Sequence, residues 1–292
     1  MKTITTIVLV HLSLSLFSQN QYSERIVIDT LSKSIFVLSN DFGGNIGLLI
    51  GKDGILLVDS HSKDYFDSIQ SSISYLSSQP LKYLINTHWH FDHVENNEAF
   101  ANQGATIISH ENCRDRLSED QVVPIFMPLQ AATPKKGLPT ITFKDSISIF
   151  IDDEIVTVFH LQNAHTNSDA VVYFRNSNVL HTGDIFVMYG MPFIDAANGG
   201  SIDGMIAACE YILGLSNDST KIIPGHGPTS DRQALIGYID MLKTIRNRIT
   251  IGITNGNSLE QIIDSNPAKE YNSIIEKTSL IELYYKSIAE VL

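Results

Sequence analysis

The run His88-Trp89-His90-Phe91-Asp92-His93 decides how this sequence is read. Three imidazoles and one carboxylate fall within six residues, directly after the apolar stretch 81–85. Four polar groups at the end of a buried strand would each need a partner, and a metal ion satisfies them together. The spacing makes chemical sense. His88 and His90 are two apart, so an extended segment points both to the same side. Asp92 and His93 follow where the chain turns into a helix, within reach of a second metal. Two metals bridged by an oxygen sit about 3.5–4 Å apart.

On the N-terminal side of this run, 26–28 and 35–38 read as short strands, and Asp41-Phe42-Gly43-Gly44 is a turn signal. The apolar runs 45–50 and 55–58 flank Gly51-Lys52-Asp53-Gly54, the pattern of a hairpin. Tyr65, Phe66, Ile69, Ile73 and Leu76 recur at helical spacing within 62–77. The stretch 81–85 is a buried strand, 94–101 a short helix and 105–109 a strand. In the second half, 141–150, 154–161, 170–174, 178–180 and 221–223 read as strands. Residues 202–213 read as a helix, and the pattern is helical from 231 onward. Residues 120–139 differ, with Pro124, Pro128, Pro134, Pro139 and Gly137, and read as a long loop presenting Phe126 and Met127. That loop and the 41–44 turn are expected to flank the metal run and to set substrate choice. Strands alternating with helices predict an α/β fold of two sheets covered by helices. No break in composition separates the halves, so residues 19–292 read as a single domain.

With its HxHxDH run the sequence resembles the metallo-β-lactamase superfamily. The resemblance spans roughly residues 35–230. It implies a four-layered αββα sandwich of two mixed β-sheets with outer helices, and it implies further ligands. These are His165 in Asn163-Ala164-His165-Thr166, Asp184 in His181-Thr182-Gly183-Asp184, and His226 in Pro224-Gly225-His226-Gly227. By the family pattern His88, His90 and His165 hold one zinc ion. Asp92, His93 and His226 hold the other, and Asp184 bridges them, so two Zn2+ are expected per chain. Asp59 resembles the buried acid that supports the metal loop. An aspartate at 184 matches the binuclear site of glyoxalase-II- and lactonase-type members. His at position 90, in place of Glu, speaks against the flavodi-iron branch.

The function this resemblance implies is hydrolysis by a metal-bound hydroxide. The bond is C–N or C–O in a small molecule: a β-lactam, a lactone or an ester. Asp92 would hydrogen-bond the nucleophile or accept its proton. A glyoxalase-II-like thioesterase is the alternative, and a metal-binding protein without turnover is a third reading. The family's β-lactamase branch typically carries Cys where Asp184 stands and Lys three residues later, gripping the substrate carboxylate. Here that third residue is Val187, and 185–189 hold no cation, so β-lactam turnover is expected to be modest.

The other histidines have simpler expectations. His61 and His110 follow strands and read as loop or capping residues. His160 and His181 stand between two readings, support of a ligand and plain packing. Trp89 and Phe91 read as core or pocket wall.

The 292 residues carry a formal net charge of −12, with no basic stripe. That balance repels a phosphate backbone, so the expected partner is a small-molecule substrate and no nucleic acid. Cys113 and Cys209 form no CxxC, and their pairing stays open. Lys2, the apolar run 4–17 and the small Ser18 before Gln19 predict a signal peptide over 1–18. The run is shorter than the roughly 20 residues that span a bilayer. A periplasmic or secreted protein follows, with no membrane partner after cleavage. Oligomeric state is not legible.

Overall fold

The computed structural model describes residues 25–289 and 291, apart from 42, 124 and 126. The expected signal segment 1–18 and the loop residues Phe42 and Phe126 lie outside the described residues.

The first sheet grows from the N-terminal hairpins. Strands β1 (Val27–Thr30), β2 (Ile35–Ser39), β3 (Ile46–Ile50) and β4 (Ile55–Val58) pair antiparallel in chain order. Strands β5 (Leu81–Ile85) and β6 (Thr106–His110) then add in parallel. Strands β7 (Gln121–Val123) and β8 (Met127–Gln130) form a separate small hairpin, and β9 (Ile141–Phe143) closes the first sheet in parallel with β6. The second sheet runs in order through β10 (Ser146–Ile151), β11 (Glu154–His160), β12 (Ala170–Phe174), β13 (Val179–His181), β14 (Lys221–Ile223) and β15 (Ser230–Asp231). All its pairs are antiparallel except β13 with β14.

Alternation along the strands builds the layers, because successive side chains point to opposite faces. Leu56 and Val58 of β4 pack with Val156, Val158 and Val172 of the second sheet, between the two sheets. Ile55 and Leu57 point the other way. They meet Ile69 and Ile73 of α1 (Phe66–Leu76) and, after the short α2 (Phe91–Val94), Phe100 of α3 (Asn97–Asn102). Next in the chain are α4 (Glu111–Leu117) and then α5 (Ile202–Leu215), α6 (Arg232–Thr254), α7 (Leu259–Asp264) and α8 (Lys277–Ala289). Met205 of α5, Leu242 of α6 and Leu280 of α8 share one cluster with Val171, Leu180 and Ile222 on the outer face of the second sheet. The result is the expected αββα order of layers.

Three local expectations change. The single strand expected over 141–150 is two strands, β9 and β10, which belong to different sheets. The apolar positions Ile141, Phe143, Ile147 and Ile149 keep one phase on both sides of the polar Lys144-Asp145-Ser146, so the phase alone could not show that the chain changes sheets there. The stretch 120–139 contains the β7–β8 hairpin, in place of a continuous loop. Pro128 sits in β8, a short hairpin strand where the missing N–H is tolerated. Helix α4 was not legible. Its N-cap is His110, whose side chain accepts from Asn112 N, a role sequence patterns assign to Ser, Thr, Asp or Asn. Cys113 and Cys209 are both buried and unpaired with each other.

Two parallel pairings place the site. Val58 of β4 lies opposite Ile85 of β5, and His181 of β13 opposite Ile223 of β14. The segments that leave these four strands therefore emerge at the carboxyl ends of the sheets, where open α/β sheets bind ligands.

Candidate metal centre

All seven residues expected as ligands converge at those strand ends. His88, His90 and His165 form one group, and Asp92, His93 and His226 another. Asp184 joins His88 and His93 in a third group that spans the first two. Within each group the potential ligand atoms lie within 4.8 Å of one another. His90 Nδ1 is 2.8 Å from His165 Nε2. Asp184 lies 3.2 Å from His93 Nε2 through Oδ1 and 3.4 Å from His226 Nε2 through Oδ2. His226 Nε2 is 3.2 Å from Asp92 Oδ2. The local backbone makes this possible: His90 is the extended N-cap of α2, so Asp92 and His93 fall in its single turn.

The outward nitrogens of four of these rings are each held by a neighbour. His93 Nδ1 donates to Asp59 Oδ2 at 2.8 Å, and His165 Nδ1 to the Phe193 carbonyl at 2.8 Å. His90 Nε2 donates to Asp195 Oδ2 at 3.1 Å, and His88 Nδ1 meets Thr87 Oγ1 at 3.1 Å. Such partners fix tautomer and ring orientation in metal sites. The remaining nitrogens face the cluster, and His88 Nε2 is buried with no hydrogen-bond partner. A donor set of imidazoles and carboxylates without thiolate suits zinc and related divalent ions. The residues present thus fit the metal centre.

Close approach explains two of the motif glycines. A Cβ at Gly225 would fall 2.0 Å from Asp184 Oδ1, and one at Gly44 would fall 2.2 Å from the His93 ring. Neither position has room for a side chain.

The two halves of the cluster differ electrostatically. Burial and then the His93 charge hold His88 well below the usual imidazole range, and burial followed by His90 holds His165 at about 4. Both are ready neutral ligands. Burial works against protonation of His93 and His226 as well, but carboxylates overcome it. Asp184, Asp92 and Asp59 raise His93 well above its usual value, and Asp184 with Asp92 lifts His226 to about 10.

A cavity of about 170 Å³ opens over the cluster. Phe91, Val123, Phe193, Ile274 and Ile275 give it apolar walls, and Asp41 and Tyr189 add polar groups. Among the described residues that line it there is no Lys or Arg. Asp41 and Val123 come from the 41–44 and 120–139 segments, so both segments do flank the cluster. Val187 does not: it is 1% exposed and packs in the core under α5 and α6. Burial, with Asp184 next in importance, keeps the Tyr189 hydroxyl protonated.

Asp59 stands where the motif resemblance put it. Asp195, Thr87, the Phe193 carbonyl and Tyr189 were missed, and apart from Thr87, beside the first ligand, nothing local in the sequence marks them. The remaining histidines resolve plainly. His181 Nε2 donates to the Asn45 carbonyl at 3.1 Å and His160 Nδ1 to the Asp169 carbonyl at 2.9 Å, so these bonds go to backbone groups. His110 caps α4 and stacks on His160 with ring centroids 3.6 Å apart. His61 is buried at a positive φ of 64°, with its Nε2 on Asn40 Oδ1 at 3.1 Å. Phe91 lines the cavity, whereas Trp89 is core.

The sequence profile of the Metallo-beta-lactamase superfamily matches residues 39–226, more than half of the 292-residue chain and inclusive of all seven cluster residues. The chain belongs to the metallo-β-lactamase superfamily. It is 28% identical over 199 residues to "Probable metallo-hydrolase MJ0888" of Methanocaldococcus jannaschii, covering 66% of this chain and 92% of that protein. It is 27% identical over 147 residues to a hydroxyacylglutathione hydrolase of Pelagibacter ubique, covering 50% of this chain and 52% of that one. Among solved structures, a metallo-beta-lactamase from Pontibacter korlensis superposes with a TM-score of 0.64 at 19% identity, over 75% of this chain and 99% of that one. At that identity the likeness concerns the fold. Membership and cluster together place this chain in a superfamily of metallo-hydrolases, with a candidate His/Asp metal-binding site.

Proposed function

We propose that the protein is an exported binuclear zinc hydrolase that opens uncharged small lactones or esters. His88, His90 and His165 would hold one ion, Asp92, His93 and His226 the other, with Asp184 between them. Bound there, zinc supplies Lewis acidity and a water whose pKa falls towards neutrality. The chain's own residues do the rest. Asp92 lines the cavity with Oδ2 3.2 Å from His226 Nε2. Its carboxylate is placed to hydrogen-bond an attacking water or accept its proton. The Tyr189 hydroxyl stays protonated at the cavity wall and can donate to a polar group of the substrate. The apolar walls exclude bulk water, which strengthens each of these contacts.

The observation that carries the choice of substrate is the cavity lining. A substrate carboxylate would find no Lys or Arg among the described lining residues and would meet Asp41. A neutral lactone or ester loses nothing by that absence. The reading takes residues 19–292 as one domain, supported by the cluster that joins α5, α6 and α8 to the second sheet. A thioesterase is the second reading, favoured by the likeness to the hydroxyacylglutathione hydrolase. The test is turnover by the zinc-loaded mature protein on a panel of neutral lactones, neutral aryl esters, acylglutathione thioesters and nitrocefin. Highest kcat/KM on the lactones or esters supports the proposal; highest on the thioesters replaces it with the second reading.

A further inference from the structure

One amide side chain links the cluster to the cavity wall. Asn198 is 7% exposed and closes the short turn Ala196–Asn198. Its Nδ2 donates to Asp195 Oδ2 at 2.8 Å, the oxygen that also receives His90 Nε2. The same Nδ2 donates to the Val122 carbonyl in β7 at 3.1 Å. Its Oδ1 accepts from Arg116 Nη1 at 2.8 Å, and that guanidinium nitrogen also donates to Gln121 Oε1 of β7 at 3.0 Å. The orientation of the amide is therefore settled, with acceptors facing both N–H groups and a donor facing the oxygen.

The hairpin is tied to the metal loop at a second point. Gln130 of β8 donates through Nε2 to the carbonyl of Trp89 at 2.8 Å, between His88 and His90. Arg116 also lies 5.9 Å from the Trp89 ring centroid. Val123, the next residue after Val122, lines the cavity. A chain of contacts thus runs from His90 through Asp195 and Asn198 to the strand that walls the substrate cavity.

We propose that Asn198 is a positioning residue that couples metal occupancy at His90 to the placement of β7, and through Val123 to substrate fit. The inference rests on the metal reading above. A metal on His90 Nδ1 leaves the ring's one proton on Nε2, aimed at Asp195, and this holds the carboxylate where Asn198 can share it. Coupling of this kind is reciprocal, so whatever presses on Val123 also biases the metal position.

Hydrogen exchange of the full chain, with zinc loaded and with zinc removed by a chelator, tests this without any substrate. In the unaltered protein, zinc should slow amide exchange in peptides covering 121–123, by about tenfold if one neutral hydrogen bond is stabilised. Asn198→Asp keeps the volume and the acceptor for Arg116 but removes both donors. It should abolish that zinc-dependent slowing and weaken zinc binding by about tenfold. Asn198→Ala should do the same. A merely structural role would loosen β7 equally with and without zinc. If both variants keep the zinc-dependent protection of β7, the coupling is overturned, whatever their zinc affinity. If the unaltered protein binds no zinc, the metal reading fails, and this inference with it.

Discussion

His93 Nδ1 donates to Asp59 Oδ2 across 2.8 Å, with both side chains fully buried. The same carboxylate accepts from Thr87 N and Thr87 Oγ1, each at 2.7 Å, so three donors converge on it. Asp59 sits at φ 65°, a left-handed conformation that Asp tolerates better than most residues. Backbone strain of this kind persists where the surroundings over-determine it. Here the carboxylate fixes the end of β4 against the metal loop.

Elemental analysis of the unaltered protein, purified without chelator, should find about two zinc-type metals per chain. Asp59→Asn should lower that count by emptying the His93 position. It brings an amide N–H towards three donors, so at least one donor goes unpaired. Metal affinity should fall about 10- to 100-fold, and stability by about 1–3 kcal/mol. Two metals retained at unchanged affinity in the variant would remove Asp59 from the support of the site.

The metal-free protein should lose stability on acidification from pH 6.5 to about 4. Burial lowers His61, His110 and His165 to about 4 in the fold, whereas the unfolded chain titrates near 6.5. Over that window the unfolded state binds more protons, so stability rises with pH and falls as pH drops. Asp169, lifted to about 7 by burial, works the other way, but it is one group against several. His226, raised to about 10 by Asp184 and Asp92 in spite of burial, contributes stability that is complete below 6.5 and declines as pH rises towards 10. Urea midpoints after chelation should therefore peak near pH 6.5–7. A midpoint that improves steadily towards pH 4.5 would refute the assignment.

Substrate charge should be tunable at the cavity mouth. Ile274 lines the cavity and is 72% exposed, so a lysine there can face the substrate and remain solvated. Ile274→Lys should lower KM for nitrocefin about tenfold, the scale of one charge-assisted hydrogen bond in a partly wet site. Neutral esters should be nearly unaffected. Val187→Lys, the substitution that motif comparison suggests, should instead destabilise the protein, because it buries an ammonium in the core. Equal KM changes for both substrate types in Ile274→Lys would count against the charge argument. So would nitrocefin turnover by the unaltered enzyme at the level of its best neutral ester.

Export has its own test. N-terminal sequencing of protein recovered from the periplasm or medium should begin at Gln19. A chain that still starts at Met1 and stays in the cytoplasm would refute the signal-peptide reading of residues 1–18.

Local pattern made the two-sheet α/β class and the 88–93 ligands legible, and the family resemblance supplied the αββα layering and the ligands His165, Asp184 and His226. Alternation along a strand shows which residues face a core, and ligands on strand-end turns leave short motifs such as Thr182-Gly183-Asp184 and Pro224-Gly225-His226. The groups that hold the ligands in place were not legible. Asp195 reaches His90, and Phe193 reaches His165, only because the chain folds back, and neither stands in a motif. The sheet change at Lys144 and Asp145 was hidden because the apolar residues keep the same phase on both sides of it. Val187 stands at the motif position of a substrate-gripping lysine yet faces the core, because spacing from Asp184 does not say which way a side chain points. The residue types that supply the site's chemistry stand in short motifs, which sequence determines. Its support, its walls and the coupling between them are contacts across long sequence separations, which only the packed tertiary structure decides.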